Sequence, residues 1–156
     1  MIYLDNAATG GFKPRAVFEA METVTKYLSA NPGRSGHELS VKVAGEIFKC
    51  RKNIKEFFNA SSENNVCFTY NCTQAINTVL KGVECSHIIT TKLEHSSITT
   101  PLGYLQTKGI KVDFVALDEN GLVDIENLKS LITKENTLIS IGAVNSETGI
   151  RQNIEE

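Results

Sequence analysis

No stretch of the 156 residues is apolar for long enough to span a bilayer. No basic-then-apolar leader opens the chain, so the cytoplasm is the expected compartment. Neither sign of charge dominates: 16 Lys and Arg face 18 Asp and Glu, a formal net charge of −2. That balance removes the electrostatic argument for a nucleic-acid or anionic-membrane partner. The four cysteines, Cys50, Cys67, Cys72 and Cys85, form no Cys-x-x-Cys pair, and no histidine stands at zinc-finger spacing from them. Reduced thiols are therefore expected, with neither a disulfide framework nor a metal site. There is also no internal repeat, low-complexity tract or linker, so the length fits one domain or a piece of one.

What is present is organised around residues 66–82. A short β-branched and aromatic run, 66–70, predicts a buried strand. It leads directly into a helical pattern in which Ala75, Ile76, Val79 and Leu80 share one face. Asn71 suits the N-cap, Gln74 can reach back as in a capping box, and Gly82 is placed to end the helix. The first turn of such a helix leaves unpaired N–H groups at the positive end of its dipole, an anion site suited to a phosphate ester. Cys72 and Thr73 stand at its mouth, Thr73 adding a hydroxyl. An ordinary strand-to-helix corner with a polar cap has the same pattern.

Before this stretch, a small polar arm (1–11) precedes a helix that Pro14 opens, with a stripe of Val17, Ala20, Met21, Val24, Tyr27 and Leu28 expected to be buried. The loop 31–37 carries Arg34 and His37. A long amphipathic helix follows over 38–58, with Lys49, Arg51, Lys52 and Lys55 read as its solvated face. Beyond the central stretch, strands are expected at 87–91, 110–116 and 137–142, alternating with helices that end at Lys108 and run from Asp124 to Ile132. Polar clusters fall just past two of these strands: 92–97, which contains His95, and 145–148. Open α/β sheets place their ligands at that edge, although a lone histidine is more often structural. Three strand ends presenting polar groups to one edge make the stronger signal.

The blocks Tyr-Leu-Asp-Asn-Ala-Ala-Thr (3–9), Asn-Pro-Gly-Arg-Ser-Gly-His (31–37), Phe-Thr-Tyr-Asn-Cys-Thr-Gln-Ala (68–75) and Glu-His-Ser-Ser (94–97) resemble, in order, the cysteine desulfurase family. Asp-Glu-Asn-Gly-Leu-Val-Asp (118–124) and Val-Asn-Ser-Glu-Thr-Gly (144–149) continue the likeness. These are class V aminotransferase-fold enzymes that use pyridoxal 5'-phosphate (PLP). The resemblance implies an α/β fold, the type I PLP-transferase large domain. Its mostly parallel sheet is sandwiched by helices and is incomplete in this chain, since the family's chains are more than twice as long. Residues 1–35 would be an arm and first helix, and 36–156 the N-terminal part of the PLP-binding domain.

Carried over by position, Cys72 and Thr73 bind the cofactor phosphate, and His95 is the catalytic residue that stacks on the ring and moves protons. Asn145 or Ser146 serves the ring hydroxyl. Gln74 replaces a glutamate common in the family. The implied reaction takes sulfur from L-cysteine, leaving alanine and an enzyme persulfide, in a homodimer that hands sulfur to an acceptor protein. Selenocysteine lyase and class V aminotransferase are the alternatives within the fold, and a non-catalytic truncated fragment is the alternative outside it. The family's lysine for the Schiff base, its pyridine-pairing aspartate and its sulfur-accepting cysteine all lie past residue 156, so the chain alone is expected to be inactive. Cys72 belongs to the phosphate cradle and is not that thiol. The family's strand order makes the strands at 87–91, 110–116 and 137–142 neighbours and leaves 66–70 apart from them.

Overall fold

A computed structural model describes residues 1–34, 36–132 and 136–155. The chain divides into two compact units, residues 1–68 and 69–156.

In the first unit the arm folds back through Tyr3, whose hydroxyl donates to the carbonyl oxygens of Asp5 and Thr9. Helix α1 (Arg15–Tyr27) starts after Pro14, as expected of a residue with fixed φ and no N–H to lose. Its apolar stripe is not buried: Val17, Met21, Val24 and Tyr27 are all exposed and α1 has no buried residue. An amphipathic face is buried only where another layer covers it, and within this unit none does. Helix α2 (Glu38–Phe57) is capped by His37, whose Nδ1 accepts the Ser40 N–H at 3.2 Å. The buried Ser40 hydroxyl donates to the Asn31 carbonyl at 2.7 Å, tying the 31–37 loop to the helix start. His37 is thus engaged by its own helix. Val24, Leu28, Val43, Ile47, Cys50 and Phe68 line a groove of about 300 Å³.

Arg51 is not part of a solvated face: it is half-buried, donates from Nε to the Val66 carbonyl at 3.2 Å, and lies over the Phe68 ring. Residues 66–70 do not form a buried strand. A 3₁₀ turn (Glu63–Asn65) precedes them, no ladder bond engages them, and all but Val66 are exposed. High β-propensity describes a surface that suits a sheet and supplies no partner strand.

The second unit holds a parallel sheet of order β2-β1-β3, built from β1 (His87–Thr90), β2 (Lys111–Phe114) and β3 (Thr137–Ser140). These are the three strands expected to be neighbours. Every residue of β1 is buried, as befits the centre of a parallel sheet covered by helices. Helices α3 (Cys72–Gly82) and α4 (Ser96–Thr107) pack against each other and the sheet. Leu80, Ile88, Ile98, Leu102 and Leu105 form the core, with Ile76, Ile110, Val112 and Leu138 against it. The expected helix after Asp124 is α5 (Ile125–Leu131), with the Asp124 carboxylate accepting the Asn127 N–H at 2.9 Å.

At the strands' N-terminal end the fully buried His87 spans the sheet. Its Nε2 lies 2.9 Å from Asp113 Oδ2 on β2 and its Nδ1 lies 3.4 Å from Thr137 Oγ1 on β3. Asp113 also pairs with Lys111 at 2.6 Å, and that bond, followed by His87, holds its carboxyl below the usual aspartate range. The predicted turn at 118–121 closes with Gly121 at φ +79°, where a Cβ would lie 2.7 Å from Ile150 Cδ1. The Asp118 carboxylate accepts the N–H groups of Leu122 and Asn120, which lower its pKa.

Candidate functional site

The site is built where α3 and α4 begin. Asn71 caps α3 through Oδ1, which accepts the Gln74 N–H at 2.8 Å. Gln74 returns the favour one residue earlier than a standard capping box does, its Oε1 accepting the Tyr70 N–H at 2.8 Å. This arrangement uses the third helical N–H and leaves those of Cys72 and Thr73 without an acceptor among the described residues. The Thr73 hydroxyl is exposed and also unengaged among them.

Asn77 joins α3 to α4. Its Nδ2 donates to the Thr73 carbonyl at 3.0 Å and reaches the Ser97 carbonyl at 3.5 Å. The Ser97 carbonyl is available because Pro101, four residues on, has no N–H to give it. A proline inside α4 and an asparagine one turn into α3 therefore set the first turns of the two helices side by side. Of the two, α3 carries the open anion site: its Cys72 and Thr73 N–H groups are free among the described residues, whereas the Ser97 and Ile98 N–H groups of α4 are taken by His95. Neither Asn77 nor Pro101 is marked as a site residue by the sequence. The legible signal was a proline at the sixth position of a helix, which always leaves a carbonyl to be satisfied.

His95 is the N-cap of α4. Its Nδ1 accepts the Ser97 N–H at 3.1 Å and lies 3.0 Å from the Ser97 hydroxyl. Because a backbone N–H can only donate, the neutral ring carries its proton on Nε2. The residue is exposed, so the Nε2 end of the ring is open to a ligand.

The third polar cluster meets the second through reciprocal bonds. Glu94 Oε1 accepts the Thr91 hydroxyl at 2.9 Å and the Gly142 N–H at 3.0 Å, fastening the turn after β1 to the end of β3. Asn145 Nδ2 donates to the Leu93 carbonyl at 2.7 Å, crossing in the opposite direction. Asn145 Oδ1 accepts the N–H groups of Glu147 and Thr148 and the Thr148 hydroxyl, so its side chain is occupied in shaping the 145–149 turn. Ser146 is exposed and its hydroxyl has no partner among the described residues. Gln152, buried beside this turn, accepts the Val123 N–H and donates to the Gly121 carbonyl, a pin that the sequence does not mark.

The structure thus brings His95 and the start of α3 together through Asn77, and ties the 145–149 turn to the same edge through Glu94 and Asn145. No group of three or more metal-ligating side chains exists among the described residues. No described helix is long and apolar enough to cross a membrane.

A parallel α/β sheet with polar loops gathered at the C-terminal ends of its strands is the architecture of a ligand-binding α/β protein. Residues 2–156 match the profile of the family described as aminotransferase class-V. The mitochondrial cysteine desulfurase of Eremothecium gossypii is 34% identical over 99% of this chain, which covers 32% of the relative. A solved NifS-like protein superposes with a TM-score of 0.89 at 32% identity, over 99% of this chain and 43% of the other. A structure described as SspA in complex with cysteine gives 0.88 at 28%, over 99% and 46%. The chain belongs to the class V aminotransferase family and corresponds to the N-terminal part of its cysteine desulfurase-like members. It spans about a third of the curated relative and under half of the two solved chains.

Proposed function

We propose that this chain carries the phosphate cradle and the histidine of a PLP-dependent cysteine desulfurase that takes sulfur from L-cysteine. The observation that carries the reading is the paired helix start: two free N–H groups and a free hydroxyl at Cys72 and Thr73, held beside the His95 cap by Asn77. A dianionic phosphate fits this donor set, which has no carboxylate among its members. Cys72 and Thr73 would hold the phosphate, His95 would lie against the ring, and the free Ser146 hydroxyl or the Asn145 amide would contact the ring hydroxyl. When bound, PLP supplies a sink for the electron pair left on the substrate carbon. His95, with its Nδ1 lone pair committed to the Ser97 N–H, presents Nε2–H as a hydrogen-bond donor. It delivers that proton only when Nδ1 leaves the Ser97 N–H and takes a proton in exchange, so proton transfer at His95 is coupled to release of the cap. Residues 36–156 are then the first part of a PLP-binding domain, with 1–35 as an arm and first helix. A dimer, a sulfur-acceptor protein and a cytoplasmic location complete the proposal.

Thr73→Val tests the cradle by removing one charge-assisted donor, worth roughly 1.5–3 kcal/mol of PLP affinity. In a longer protein that also carries the lysine and the sulfur-accepting cysteine, His95→Ala leaves binding largely in place and slows turnover by about 10²–10⁴-fold. Full affinity in the first variant, or full turnover in the second, contradicts the corresponding role.

A further inference from the structure

We propose that Glu94 is a positioning residue that sets where His95 stands by clamping the turn between β1 and α4 to the end of β3. The inference rests on the function proposed for His95. Glu94 immediately precedes that histidine, and its carboxylate leaves its own loop to reach the Gly142 N–H, at 3.0 Å from Oε1 and 3.2 Å from Oε2. It holds its own turn at the same time, through the Thr91 hydroxyl at 2.9 Å. That hydroxyl in turn accepts the Leu93 N–H at 3.1 Å, so the backbone from 91 to 94 is fixed at both ends. Position 142 fits this role: a Cβ built there would lie 3.1 Å from Glu94 Oε2, closer than an ordinary contact. The Asn145 amide crosses back to the Leu93 carbonyl at 2.7 Å, which makes the connection a two-bond clamp. Residues 91–94, held from both sides, lead directly into the His95 cap of α4, where Nδ1 meets the Ser97 N–H.

The clamp works by hydrogen-bond acceptance, because both of its donors converge on Oε1. A glutamine supplies one such oxygen at the same reach, whereas alanine supplies none and aspartate is one methylene short.

The test compares ring ¹⁵N–¹H spectra of the cofactor-free chain with those of Glu94→Ala, Glu94→Gln and Glu94→Asp. The buried His87, bonded to Asp113 at the other end of β1, serves as the internal report on folding. Glu94→Ala and Glu94→Asp lose the single Nε2–H signature of His95 while the His87 signals stay, and Glu94→Gln keeps both. An unchanged His95 signature in Glu94→Ala, or a Glu94→Gln variant that behaves as alanine does, overturns the proposal. If Glu94→Ala does not fold, Thr91→Val takes its place, and it must loosen the His95 signals or the proposal falls. Added PLP separates this inference from the reading beneath it. The unmutated chain gains an induced circular dichroism band that Glu94→Ala loses while still binding inorganic phosphate. Absence of that band from the unmutated chain refutes the cofactor assignment and leaves the ring spectra to judge Glu94.

Discussion

Replacing Asn145 by alanine distinguishes a residue that shapes the site from one that only waits for a ligand. Its side chain makes four contacts: one donated to the Leu93 carbonyl at 2.7 Å, and three accepted from the Glu147 N–H, the Thr148 N–H and the Thr148 hydroxyl. Glu147 and Thr148 are exposed, so water replaces much of what they lose and each backbone bond is worth about 0.5 kcal/mol. The bond to half-buried Leu93 crosses between two loops and is worth about 1 kcal/mol, because water reaches that carbonyl less easily. Asn145→Ala should therefore cost about 2 kcal/mol, which lowers the melting temperature by about 4–8 °C for a chain of this size. Asn145→Asp keeps the acceptor and loses the donor, setting a carboxylate against the Leu93 carbonyl, and should cost about 1 kcal/mol or more. Ser146→Ala, one residue on and without a partner, should stay within about 0.5 kcal/mol of the parent. Urea and thermal unfolding followed by circular dichroism measure all three. A loss below about 0.5 kcal/mol for Asn145→Ala, or a larger loss for Ser146→Ala, refutes the assignment of Asn145 to the turn.

Two further outcomes follow from the titrating groups. The Asp113 carboxyl has a folded pKa below its ordinary value of 3.8, chiefly through Lys111, so its contribution is fully present above that value and is lost as pH falls through the lowered one. Asp113→Asn should flatten the acid limb of a stability-versus-pH curve in that window, and an unchanged limb rules the contribution out. Burial raises the Cys85 thiol, while Cys50, Cys67 and Cys72 are exposed. A chromogenic disulfide should label those three quickly and Cys85 only slowly in the native chain. Four equal rates contradict the packing around Cys85.

The elements that read correctly from the sequence were those whose causes are local. Asn71 and Gln74 announce the start of α3 three residues apart, and Asp124 does the same for α5. The strands around β1 were visible as β-branched runs between turn signals, and the sheet places them as neighbours. Residues 66–70 show the limit, since the same propensity signal appears there without a partner strand. The α1 stripe shows it again: periodicity reports an amphipathic face, and burial depends on a covering layer. The site was half legible for the same reason. Cys72, Thr73 and His95 lie beside capping signals, whereas the bonds that assemble them join distant positions. Asn77 reaches Ser97 across 20 residues and Glu94 reaches Gly142 across 48. Between Asn145 and Ser146 the sequence offered no choice, and only the contacts show that one side chain is occupied and the other free.

The central proposal is that the start of α3, beside that of α4, holds the phosphate of PLP. Amide spectra of the chain, recorded during titration with PLP and separately with pyridoxal, which lacks the phosphate, test it most directly. Saturable shifts are expected at the Cys72 and Thr73 N–H groups with PLP, competed by inorganic phosphate, and none at those two groups with pyridoxal. Equal shifts with both compounds, or PLP shifts confined to exposed lysines, would contradict it.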